Sequence, residues 1–410
     1  MSIDVVNLNE FTNQLGSTKF EDNSIRRAMA HDRKMVQHLG SKNGWTRGHG
    51  QGKLLEYYIY EMIKQNIGGF RYIEKLVLKG RDVPERMRNS DRRARDGLCY
   101  DSAGDIVLMG NGTELAEFDI LMLAKDGSII FGEVFHSALN MAREDKEFTL
   151  KRNLLSNLTG REVIGLMLSS RDISNNKVVV EVLKDPWNRF VFLKDYRETG
   201  FRASSAVDAL FNMPLPGNMI TIGQLPTVRG FDYRKIQIGT GNALISSLRA
   251  GRDIRSVMDI LSKSIASNVH LFHIQGGVIS RLLGEISFVQ GDGKLDTERF
   301  NSCFSSIVVG VSVTTIRPVI YWKVKHRKEY LKFVPSGPSE FRLDGVLPHS
   351  SHFKGRLRVD PIMIVDNDQD YAAVKRLLEI FPYGGTRTVK RNRILDMDRV
   401  RRICPGFFSR

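Results

Sequence analysis

The sequence predicts a mixed α/β protein: a mixed sheet flanked by helices in the first half, followed by a C-terminal α+β region rich in β. Three observations carry that expectation. Glu117 to Phe135 reads as a β-hairpin, two apolar runs joined by Lys125-Asp126-Gly127-Ser128, in which Asp-Gly supplies the positive φ of a tight turn. Helical periodicity stands on both sides of it, at Leu54 to Gln65 and at Met141 to Leu158. Residues 304 to 347 then read mainly as strands.

In chain order, residues 1 to 50 are polar and basic and are expected to form a flexible lead-in. The run Thr46-Arg47-Gly48-His49-Gly50-Gln51-Gly52-Lys53 is not a phosphate loop: no strand precedes it, and Leu54 stands where Ser or Thr would meet Mg²⁺. From Leu54 to Gln65, the residues Leu55, Ile59, Met62 and Ile63 make an apolar stripe with Glu56 at its edge. Phe70 to Leu78 is an expected strand. After it comes an arginine-dense stretch with Arg86, Arg88, Arg92, Arg93 and Arg95, suited to gripping phosphates but equally readable as a solvated loop.

Each arm of the hairpin carries one carboxylate, Asp119 and Glu133, nearly equidistant from the turn and therefore near neighbours across it. Carboxylates inside apolar strands are costly unless compensated, and a divalent cation compensates them. In the following helix Met141, Phe148, Leu154, Leu155 and Leu158 share one face, with Lys151 near its centre and Lys146 on the opposite side. A lysine there must reach solvent or meet a buried anion, and Glu144 and Glu147 offer a local ion pair as the alternative. Val163 to Ser169 is a buried strand, and Val178 to Leu183 and Phe190 to Leu193 read as further strands.

Composition shifts near residue 196, where Pro214, Pro216, Pro226 and Gly230 punctuate the chain, so the expected domains are 51–196 and 197–410. Tyr233 to Ile238 reads as a strand and Gly239-Thr240-Gly241 as a turn into a helix that runs to about Phe272. The dinucleotide-loop reading of this stretch lacks its third glycine. His270 and His273, placed at that helix end, have no further metal ligands nearby in sequence. In Tyr321-Trp322-Lys323-Val324-Lys325 rings alternate with cations. Trp322, Lys323 and Lys325 are accordingly either a single-strand nucleic-acid surface or an amphipathic strand with a basic face.

A formal charge of +15 makes a polyanion the expected partner, and no stretch approaches the roughly 20 apolar residues of a membrane span. Nucleic acid, DNA or RNA, is therefore expected and a membrane is not, while a homo-oligomer is compatible with the sequence. Cys99, Cys303 and Cys404, odd in number and far apart, point to a reducing compartment, cytoplasmic or nuclear. The N-terminus has no secretory pattern.

Helix, hairpin with Asp119 then Glu133, helix and strand together resemble the core of the PD-(D/E)xK nuclease superfamily, the restriction-endonuclease-like fold, over roughly residues 52 to 170. Phe118 stands where the motif has proline, and Phe135 where it has lysine. Some members, including the cap-snatching endonucleases of segmented RNA viruses, take the lysine from the next helix. The resemblance implies Mg²⁺ or Mn²⁺ held by Asp119 and Glu133 with help from Glu56, and Lys151, or alternatively Lys146, as the displaced lysine. It implies a metal-dependent nuclease acting on DNA or RNA. The competing expectation is a nucleic-acid-binding or assembly protein that keeps the fold without the chemistry.

Overall fold

A computed structural model describes residues 3–19, 22–88, 96–111, 113–136, 144–194, 215–228, 230–266, 268–291, 293–313, 315–327, 329–347 and 360–380, with 400 and 402. It is a mixed α/β structure with three sheets. The chain divides into two compact units, 1–110 with 114–231, and 111–113 with 232–410. The division therefore falls at Phe231/Asp232, not at 196/197.

In the first unit, residues 1 to 50 depart from the expected lead-in, because most of them are helical. Helices α1 (Val5–Ser17), α2 (Asp22–His31) and α3 (Arg33–Leu39) precede α4 (Gly44–Asn66). Asp4, Asp32 and Asn43 cap α1, α3 and α4 by accepting backbone N–H bonds, and this explains where these helices start. Leu8, Phe11 and Leu15 of α1 are buried, with Phe11 edge-on to Phe70 at 5.2 Å. The Asp4 N–H also donates to Asp126 in the hairpin turn at 3.0 Å, tying this end of the chain to the sheet.

Then follow β1 (Ile73–Val77), β2 (Gly97–Tyr100), β3 (Ile106–Gly110), β4 (Thr113–Phe118), β5 (Ile120–Ala124), β6 (Ile129–Phe135), α5 (Glu144–Thr159), β7 (Val163–Ser169), α6 (Lys177–Val182), β8 (Asn188–Phe192) and β9 (Met219–Ile220). Six strands form one sheet in the order β8-β7-β6-β5-β1-β9, and β2-β3-β4 form a second. β1, β5 and β6 pair antiparallel, whereas β6/β7 and β7/β8 are parallel. The expected strand at Val178 to Leu183 is α6, because Asn176 caps it and Val179 and Val182, three apart, bury one helical face.

The second unit holds α7 (Tyr233–Arg249), α8 (Ile254–Ser262), β10 (Asn268–Ile274), α9 (Val278–Glu285), β11 (Ser287–Gln290), β12 (Gly293–Lys294), α10 (Phe300–Cys303), β13 (Phe304–Ser312), β14 (Arg317–Val324), β15 (Tyr330–Gly337), β16 (Glu340–Leu347), β17 (Met363–Val365) and α11 (Asp368–Ile380). Its eight-stranded sheet runs β12-β11-β16-β15-β14-β13-β10-β17. Tyr233 to Ile238 is helix, not strand: Asp232 caps α7, and Gly241 lies inside it, where a Cβ would come within 1.7 Å of Ile362. That close approach, not a phosphate, accounts for the glycine. His270 and His273 lie on strand β10 instead of a helix end. Among the described residues no helix is long and apolar enough to cross a membrane.

Candidate active site

The helix and the hairpin meet at a cluster of carboxylates and lysines. Helix α4 brings Lys53, Glu56 and Tyr57. Lys79 follows β1, Asp105 ends the turn before β3, Glu117 lies on β4, and Glu133 and Lys151 come from β6 and α5. Asp119 sits at the bend where the chain leaves β4, in the three-stranded sheet, and enters β5, in the six-stranded one. The β5/β6 register pairs Ile120 with Gly132, and one further step sets Asp119 opposite Glu133. Asp119 Oδ2 accepts the Val134 N–H at 2.8 Å, and its carbonyl accepts from Lys79 Nζ at 2.9 Å. The bend that breaks the strand thus also holds the carboxylate in one orientation.

Ligand oxygens of Glu56, Glu117 and Asp119 all lie within 4.8 Å of one another. Glu133 is outside that group, its carboxylate being ion-paired with Lys151, whose ammonium also sits 5.9 Å from the centre of the Phe118 ring. Lys53 Nζ lies 2.8 Å from Glu56, 3.1 Å from Asp105 and 3.1 Å from Glu117. The fully buried Lys79 lies 3.3 Å from Glu56 and 3.5 Å from Asp105. Glu117, with a side chain 42% exposed, is the open edge of the cluster.

Burial pushes the Glu56 carboxyl up, the nearby Asp119 charge pushes it further, and Lys53 and Lys79 only partly offset both, leaving it at about 7. Asp105 is also driven up by burial, yet the two lysines outweigh this and hold it below the usual carboxylate range. Lys53 is opposed by burial but raised well above its ordinary value by Glu56, Asp105 and Glu117. The two lysines therefore do not fully neutralise the converging acids. An all-oxygen donor set with surplus negative charge fits a hard divalent cation such as Mg²⁺ or Mn²⁺, which Glu56, Glu117 and Asp119 would hold. Such an ion would compete with Lys53 for Glu56 and Glu117.

A second polar group lies on another side of α4. His31 Nδ1 accepts the Arg81 N–H at 3.1 Å, and Nε2 meets Glu61 at 2.8 Å, which fixes the proton on Nε2. Lys64 pairs with Glu61 and with Asp82, the latter at 2.7 Å. His31 stacks on Tyr57 at 4.8 Å, and the Tyr57 hydroxyl bonds Asp105 at 3.2 Å, so this network braces the site from within. The backbone adds a second brace. Gly80 N–H donates to Gly104 C=O at 2.9 Å, with both residues at positive φ, and a Cβ on Gly104 would lie 2.2 Å from Gly80 O.

The residues expected to bind nucleic acid are scattered in role. Arg86 is exposed. Arg88 is committed to the fold, donating to Val83 O at 2.9 Å and Arg81 O at 3.0 Å. Arg92, Arg93 and Arg95 lie outside the described residues, as does the side chain of Lys146. Trp322 is fully buried against Phe288, Phe333, Phe304 and Phe300 at 4.5 to 5.3 Å, so it belongs to the core and offers no stacking surface. Lys323 is half-buried and Lys325 exposed, but β14 carries no open basic face, because Val319 and Tyr321 on the Lys323 side are buried just as Trp322 is on the other. His38 and His49 do not join either group of potential metal ligands among the described residues.

Sequence reasoning singled out Glu56, Asp119, Glu133 and Lys151 but passed over Glu117, Asp105, Lys53 and Lys79. For Glu117 a signal existed, since residues two apart on an extended chain share a face. Lys53 also stands three residues before Glu56 on one helix. Asp105 and Lys79 gave none: turn geometry alone delivers them.

No protein-family model matches the chain, and neither a curated protein nor a solved structure matches it.

Proposed function

We propose that the chain is a metal-dependent nuclease that hydrolyses phosphodiester bonds of DNA or RNA. The observation that carries this reading is the convergence of Glu56, Glu117 and Asp119 beside the Glu133–Lys151 pair. The sheet supports it too, since an antiparallel β1-β5-β6 meander followed by α5 and a parallel β7 is the order of the restriction-endonuclease-like core. A bound divalent cation would supply an activated water and neutralise charge developing on the phosphate.

The remaining roles belong to the chain's own groups. Glu56, Glu117 and Asp119 bind the cation, and the Val134 N–H keeps Asp119 aimed at it. Glu133 holds the Lys151 ammonium, which orients a water or meets a phosphate oxygen. With Phe135 at the motif's lysine position, Lys151 is the cation this reading assigns in its place, on the strength of its pairing with Glu133.

A non-catalytic nucleic-acid-binding or assembly protein is the second reading, favoured by Lys53 and Lys79 already engaging the carboxylates and by Glu133 lying outside their group. Cleavage of labelled single- and double-stranded DNA and RNA with Mn²⁺, Mg²⁺ or EDTA separates the two. Metal-dependent cutting that is lost in Asp119→Ala and Glu117→Ala, and reduced in Lys151→Ala, supports the nuclease. Absence of cutting, with salt-sensitive binding intact, supports the second reading.

A further inference from the structure

Helix α4 continues well beyond the site, and its outer half is unusual. Trp45 is 81% exposed, the most exposed large apolar side chain among the described residues. Its ring stacks with His49 at 6.2 Å and an interplanar angle of 9°, and His49 lies 5.7 Å from His38. At about 100° per residue, Trp45, His49, Gly52 and Glu56 fall within roughly 60° of one another around the helix. They form one stripe, roughly 17 Å long at 1.5 Å per residue, that ends on a carboxylate of the candidate site.

The helix also carries glycines that its own packing does not require. Gly50 is needed, because a Cβ there would press on His38 and Leu39 of the neighbouring α3 segment at 3.0 Å. At Gly48 and Gly52 a Cβ would meet nothing within 4 Å. Each costs the helix about 1 kcal/mol relative to alanine, so both keep that side of the helix low beside the stacked rings at a real cost in stability. From residue 33 to 53 the chain has five Lys or Arg, two His and no Asp or Glu, with Lys34, Lys42 and Arg47 exposed. An open aromatic face amid cations is matched by a polyanion that carries unpaired flat rings.

We propose that Trp45 and His49 form a stacking platform for a single-stranded polynucleotide, which α4 leads along the cleared Gly48 and Gly52 face toward Glu56. This rests on the nuclease reading for where the strand leads, and it names the substrate class as unpaired DNA or RNA. Bases splayed from a single strand expose faces for stacking, whereas a duplex hides them.

The test uses the full chain with Ca²⁺ in place of Mg²⁺ or Mn²⁺, and labelled single-stranded RNA, single-stranded DNA and the matching duplexes. Trp45→Ala is expected to weaken single-strand binding about 5- to 150-fold, the loss of one stacked base. Trp45→Phe should recover most of it, and duplex binding should stay within about twofold. Intrinsic fluorescence gives a second readout, because Trp322 is buried and Trp187 half-buried, leaving Trp45 as the accessible ring to be quenched. The RNA and DNA arms show which sugar is preferred.

The proposal is overturned if Trp45→Ala binds single strands like wild type, if Phe does not rescue, or if duplex binding falls equally. It is also overturned if Trp45 governs attachment to anionic vesicles and not to oligonucleotides. Metal-dependent cleavage with Trp45-independent binding would defeat this inference and spare the nuclease. Trp45-dependent single-strand binding without cleavage under Mn²⁺ or Mg²⁺ would do the reverse.

Discussion

The Lys53 ammonium lies 2.8 Å from Glu56 and 3.1 Å from Glu117, so one side chain bridges two of the three carboxylates that converge with Asp119. Lys53 occupies the contacts a divalent cation would need. Replacing it with the uncharged Lys53→Met should tighten Mn²⁺ binding about tenfold at pH 8.5, since unit charges 4 Å apart interact by several kcal/mol at an effective dielectric near 20. Titration of Mn²⁺ followed by electron paramagnetic resonance checks this. Unchanged or weaker binding would show that Lys53 does not compete with the ion.

Glu56 makes a pH-dependent contribution whose sign is fixed. The unfolded side chain releases its proton near 4.5 and the folded one near 7, so between those values the folded chain holds the extra proton and stability falls as pH rises. The effect is about 3 kcal/mol across the window. Urea unfolding in EDTA, compared between wild type and Glu56→Gln, isolates it: the wild-type slope should exceed that of the variant. Metal binding should show the opposite trend, strengthening with pH up to about 7 and then levelling.

The backbone contact between Gly80 and Gly104 predicts a strong local effect. Gly104→Ala faces both a φ of +87° and a Cβ 2.2 Å from Gly80 O. A loss of about 3 kcal/mol is expected from strain and displacement together. Asp105 follows immediately, so metal or strand binding should weaken as well. Chemical denaturation with a parallel binding titration measures both, and a stability change under 1 kcal/mol would rule out a tight clamp.

Trp322 should behave as a core residue. Trp322→Ala is expected to cost about 3 to 5 kcal/mol, while Lys325→Ala, exposed on the same strand's end, should leave stability within about 0.5 kcal/mol. Thermal melts distinguish the two. If Trp322→Ala were stable but poor at binding single strands, its burial among four phenylalanines would be refuted.

Several features were written locally and could be read there. The Asp126-Gly127 turn sets the hairpin register, and that register alone brings Asp119 close to Glu133. Helical periodicity placed Glu56 on α4 and Lys151 on α5, and runs of strand-forming residues bounded by turn residues placed β13, β14 and β15. Period, turn chemistry and capping act over a few residues, which is why sequence determines them.

What the tertiary structure decided depends on neighbours far along the chain. Residues 1 to 50 look like a polar, flexible lead-in until capped helices bury Leu8, Phe11 and Leu15 against residues more than fifty positions away. The valine run at 178 to 182 favours a strand by propensity, but a cap and an apolar face against α5 make it helix. Trp322 and Lys323 look alike as binding residues until the phenylalanines around Trp322 choose its side of the sheet. In the site, Asp105 and Lys79 arrive through a glycine contact that no spacing encodes, and Lys79 partly offsets the burial and the Asp119 charge that push Glu56 up. Spacing fixes which residues can share a face, but only the packed fold fixes which charges are buried together, and burial is what gives them their strength.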